Sequence, residues 1–102
     1  MTADNKTTER IKEMEDCLDQ CSEAVSGLSE QLDRMEDALG PMTSLFSYYG
    51  SNDWYDDREK ELPEGLKAGV LSEDLVYDLI TDIRDEAFRM LELATDILKN
   101  RI

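Results

Sequence analysis

Histidine is absent from this 102-residue chain, and its absence removes a large part of known site chemistry. Ser-His-Asp and Cys-His catalytic arrangements, imidazole-containing zinc sites and Glu-x-x-His di-iron bundles all require it. Any catalysis would have to run on carboxylates, thiols, lysines or tyrosines. Cysteine is scarce as well, with only Cys17 and Cys21 present. At this spacing on a helix their side chains project in parallel, which is poor geometry for a bridge between them. A four-thiolate zinc site would need a second copy of the chain to complete it. Cys21 lies on a helix seam and Cys17 beside it, and the plain reading is two small reduced core residues in a reducing compartment.

Basic residues are few: 11 Lys and Arg stand against 25 Asp and Glu, a net charge of −14. Such a surface repels nucleic acid, whose phosphates are bound by cations that displace counterions, and it disfavours anionic membranes. It leaves room for a basic protein partner or weak cation binding. Long apolar runs are missing too. Nothing approaches bilayer-spanning length, and the opening MTADNKTTERIKEMED lacks the apolar core of a secretory signal. The expectation is an unprocessed cytoplasmic protein with no cofactor, no metal, no nucleic-acid partner and no membrane contact.

What is present is helical periodicity. Ile11, Met14, Leu18, Cys21, Val25, Leu28, Leu32, Met35 and Leu39 alternate spacings of three and four without a slip. That is the seam of a helix packing on another helix. Cys17, Ala24 and Ala38 lie beside it, so the apolar stripe is wide enough for two neighbours. The spacing predicts a helix over 8–39, capped by Thr7 or Thr8, with Gly27 on the outer face. Gly40-Pro41 punctuates it, yet Met42, Phe46 and Tyr49 keep the same register. A kinked continuation over 42–49 is therefore predicted, ended by Gly50 as a left-handed cap.

Ser51 reads as the cap of a short helix over 52–61. A turn region over 62–71 holds Leu62-Pro63-Glu64-Gly65 and Gly69. Ser72 then caps a last helix over 73–100, with Glu73 and Asp74 at its positive end, Leu71 and Val76 at the spacing of a hydrophobic staple, and Lys99 and Arg101 at its negative end. Its apolar positions follow the 3.6-residue period from Val76 to Leu98.

The unusual residues concentrate between these two long helices. Phe46, Tyr48, Tyr49, Trp54 and Tyr55 crowd one short stretch, with Arg58 and Lys67 close by. Caps and turns explain the glycines and serines there but not the aromatics. Tyr48, Tyr49, Trp54, Tyr55 and Lys67 are accordingly the candidate binding residues, because Trp and Tyr dominate recognition hot spots. The competing reading, favoured for aromatics at a chain reversal, is that they pack as core.

Carboxylates three or four apart recur, as at Asp74/Asp78, Asp78/Asp82 and Asp82/Asp85. Magnesium-dependent all-helical nucleotide pyrophosphatases place carboxylates in this way. In so acidic a chain, however, chance supplies such pairs, and few cations are left to hold a phosphate.

The string YYGS-x-x-W from Tyr48 to Trp54, followed by LP-x-x-LK-x-GVLSED from Leu62 to Asp74 and then VYDLITD, resembles a bacterial domain-of-unknown-function family, number 4298. The ERIKEME opening from Glu9 to Glu15 resembles it too. The resemblance covers 9–92 and implies a small acidic helical protein, with no catalytic residues to carry over. It also implies a basic residue at the position of Ala68 and a polar one at that of Ile83, where this chain departs.

The resulting expectation is an all-α single domain spanning 1–102. Its form would be an antiparallel long-helix hairpin, kinked near Pro41, with a short crossing helix, and it would dimerise into a four-helix arrangement. The expected function is a non-enzymatic protein-interaction or accessory module acting as a homodimer, with a basic protein as a further partner. Two alternatives stand beside it. One is a magnesium-dependent nucleotide phosphohydrolase built on Asp78, Asp82 and Asp85. The other is an acidic nucleic-acid mimic that binds a basic protein.

Overall fold

A computed structural model describes residues 1–100. Among these the chain is all-helical, with no strand: α1 spans Asn5–Tyr48, α2 spans Asn52–Arg58 and α3 spans Glu73–Lys99, with a 3₁₀ turn at Gly69–Leu71. The chain divides into two compact units, Met1–Ser44 and Leu45–Ile102.

The first unit is α1 up to Ser44. Its start lies earlier than the sequence suggests, because Asp4 caps it in place of Thr7 or Thr8. The Thr7 backbone N–H donates to Asp4 Oδ1 at 2.7 Å, and the Thr8 hydroxyl donates to the Asp4 carbonyl at 2.9 Å. A carboxylate is the stronger acceptor for the free N–H groups of a helix start. The Thr7 hydrogen bonds hold the Asp4 carboxyl below its ordinary value of 3.8.

The kink expected near Pro41 does not divide the helix into two elements: α1 runs through Gly40 and Pro41 as one helix. Proline removes the single hydrogen bond that its N–H would make to the Asp37 carbonyl. The Thr43 hydroxyl satisfies the Leu39 carbonyl at 3.0 Å. No residue of α1 is buried. Gly27 has open space around the position of a β-carbon, as its outer-face register requires.

The second unit holds the buried core. The left-handed Gly50, at φ 78°, turns the chain out of α1. Ser51 then caps α2, its hydroxyl accepting from Trp54 N–H at 3.2 Å. α2 stops at Arg58, short of the predicted 61. The Glu59 and Lys60 N–H groups close back onto Asp56 and Asp57 in tight turns, and Pro63 disfavours helix at the residue before it.

Gly65, at φ 82°, supplies the second left-handed residue. The Ser72 hydroxyl accepts from Leu75 N–H at 3.3 Å and starts α3, with Glu73 and Asp74 in its first turn. Lys99 occupies the last turn of α3; Arg101 lies outside the described residues. The buried apolar side chains among those described are Trp54, 2% exposed, and Val76, 4% exposed. Along α3 beyond them, Met90, Leu91, Leu93, Ile97 and Leu98 are all exposed.

Candidate functional site: the Trp54 cluster

Trp54 organises the second unit. Ser51 fixes the first turn of α2, so the indole is carried inward, and its Nε1–H donates to the Val70 carbonyl at 3.0 Å. That bond ties α2 to the 3₁₀ turn and satisfies the one polar atom a buried indole brings with it. The Tyr49 and Tyr55 rings meet the indole edge to face, each at a centroid distance of 5.0 Å. Arg58, one turn along α2, lays its guanidinium 4.5 Å above the indole centroid, a cation–π contact that covers the outer face of the ring.

The two tyrosines at the end of α1 are anchored by their hydroxyls. Tyr48 donates to Asp57 Oδ2 at 2.6 Å. This bond, with some burial and the Asp57 and Asp53 charges, raises the phenol from 10.0 to about 12. Tyr49 donates to the Glu73 carbonyl at 3.2 Å. Burial first and the Glu73 charge second hold its phenol above the ordinary value. Asp57 also lies 3.7 Å from Lys60 Nζ.

The candidate residues therefore separate. Trp54 is buried and forms the core of its unit. Tyr48 and Tyr49 are half-buried with their hydroxyls engaged, and only Tyr55, 56% exposed, and Lys67 face solvent. Lys67 makes no ion pair among the described residues. It lines an open cleft of about 330 Å³ together with Leu45, Val70, Leu75 and Leu79. It also borders a smaller cleft of about 280 Å³ that contains Tyr48 and Asp57.

Two contacts of Trp54 were not foreseen from the sequence. Arg58, noted beside the aromatics, was within reach as a partner of the indole, since it lies four residues beyond Trp54 on the same helix. The Val70 carbonyl was not, because no pattern announces a backbone acceptor sixteen residues away. Among the described residues no three Asp, Glu or Cys groups converge to hold a metal ion. Asp78, Asp82 and Asp85 lie exposed along α3. No helix among the described residues is long and apolar enough to cross a membrane.

An all-helical chain with a tryptophan-centred nucleus and exposed apolar helix faces belongs to the class of small helical proteins. Within that class, the chain belongs to the family described as Domain of unknown function (DUF4298), whose profile matches residues 11–93. No curated protein and no solved structure matches it.

Proposed function

We propose that this protein is a non-enzymatic interaction or accessory module of the cytoplasm whose working form is a homodimer. In this form α1 and α3 of each chain fold back as an antiparallel hairpin, with the bend near Pro41, and two hairpins cover each other's apolar faces as a four-helix arrangement. The observation that supports this reading is the α1 seam. Its apolar residues hold helix–helix register from Ile11 to Leu39, yet Val25 is 66% exposed and Leu18 and Leu39 are each 60% exposed. Helices of this kind draw most of their stability from packing an amphipathic face, and so wide a stripe of apolar side chains left in water marks an interaction surface. Exposed Tyr55 and Lys67 are the remaining contact residues of the second unit.

Thermal melting over a roughly thousandfold range of concentration tests the proposal, because the stability of a dimer is linked to protomer concentration. The melting temperature is expected to rise with concentration, in step with a dimer mass in sedimentation equilibrium. An unchanged melting temperature and a monomer mass throughout would overturn the reading.

A further inference from the structure

The residues flanking the α1 seam carry a second pattern. With Ile11, Leu18, Val25, Leu32 and Leu39 as the first seam position of each heptad and Met14, Cys21, Leu28 and Met35 as the second, the flanks fall at defined places. They are Glu15, Cys17, Ser22, Ala24, Ser29, Gln31, Glu36 and Ala38, with Arg10 leading in. In a strongly acidic chain only Glu15 and Glu36 of these carry negative charge. The other acidic side chains between Glu13 and Asp37 occupy outer positions of the same helix. The exposed stripe is thus framed by small or neutral groups, and acidity is kept away from the place where a second copy would dock. An interface for a basic partner would gain by placing acids on these flanks, and they are not there.

We propose that α1 pairs with α1 of a second copy in parallel, in register, along Ile11–Leu39. This rests on the dimer reading above and adds the surface, the orientation and the register. Flanking residues decide orientation in helix pairs. In a parallel pair each residue before a first seam position faces the partner's flank residue five places on. Arg10 then faces the partner's Glu15, and Gln31 faces the partner's Glu36, each twice by symmetry. Cys17 faces the partner's Ser22, and Ala24 faces the partner's Ser29. No like charges meet.

Antiparallel pairing with the same overlap sets Glu15 against the partner's Glu36 at both ends. Sliding by one heptad relieves that repulsion, but it moves Leu39 opposite the partner's Thr7 and leaves Arg10 facing the partner's Ala38 with no acid to meet. The parallel register keeps every apolar layer and gains the ion pairs.

Parallel register also brings identical second-position residues face to face. Helix axes 8–10 Å apart, with Cα atoms about 2.3 Å from each axis, put facing Cα atoms roughly 3–5 Å apart. The upper part of that range reaches the span of a disulfide.

The test is a full-length chain carrying Met14→Cys together with Cys17→Ser and Cys21→Ser, held in a glutathione redox buffer at concentrations where the protein is dimeric. The parallel register predicts near-complete conversion to a disulfide-linked dimer. In either antiparallel alignment the two sulfurs are separated by roughly 27 Å or more along the axis. The second measurement leaves the seam intact. Arg10→Glu should weaken dimerisation roughly tenfold, and the exchange Arg10→Glu with Glu15→Arg should restore it.

A dimer that fails to cross-link, or one indifferent to Arg10→Glu, would overturn the parallel register and leave the dimer reading standing. A monomer at every concentration would overturn both.

Discussion

The two units of this protein handle their apolar residues in opposite ways. Up to Ser44, α1 sets its apolar side chains in strict register and buries none of them. From Leu45 onward, a handful of apolar and aromatic side chains in loose order bury Trp54 and Val76 almost completely. Regular spacing measures readiness to pack against another helix. Burial within a chain requires turns that bring segments together, and Gly50, Gly65 and the caps Ser51 and Ser72 supply them only in the second unit. The first unit leaves its whole apolar face to be covered, and the second folds around Trp54 while leaving the later apolar positions of α3 exposed.

The comparison is broken most directly by exchanging the consequences of a truncation. Trp54→Ala removes the indole, its hydrogen bond to Val70 and the platform for Tyr49, Tyr55 and Arg58. The expected cost is about 3–5 kcal/mol, enough to abolish cooperative unfolding of the second unit followed by near-ultraviolet dichroism. Leu18→Ala, at an exposed seam position, should leave that same transition within about 0.5 kcal/mol while reducing the dimer fraction. Equal effects of the two substitutions on the transition would mean that the units do not differ as described.

A smaller effect comes from the cap of α3. Ser72→Ala leaves the Leu75 N–H without its side-chain acceptor and should cost about 1 kcal/mol, read by urea denaturation. Ser72→Asp should recover most of it.

The smallest effect is spectroscopic. Tyr48, raised to about 12 by its bond to Asp57, should ionise well above pH 10 in an absorbance titration, and Asp57→Asn should bring that ionisation down. The sign for stability follows from the raised value. The Tyr48–Asp57 bond contributes fully below pH 10 and is lost as pH climbs from there through about 12, so the alkaline limb of unfolding should shift in the Asp57→Asn protein. A tyrosine titration identical in the two proteins would remove that bond from the account.

Helix existence, the caps at Ser51 and Ser72 and the left-handed Gly50 were all legible, because each depends on residues within one or two turns of one another. The start of α1 was misplaced because Asp4 competes as a cap with the threonines that follow it. The segments read as 8–39 and 42–49 are one element in α1, because losing one hydrogen bond at Pro41 does not end a helix whose apolar register continues past it. For the candidate site, spacing could gather Tyr48, Tyr49, Trp54 and Tyr55 into one neighbourhood but could not rank them. Composition is blind to which aromatic a turn directs inward.

By itself, then, the sequence determined an acidic helical chain, the face each long helix offers and the points where it turns, since charge, periodicity and capping are local properties. Only the tertiary structure decided that Trp54 is core while Tyr55 and Lys67 face water. That outcome rests on a hydrogen bond to the Val70 carbonyl and on an arginine laid over the ring, contacts that exist only once separate segments have met.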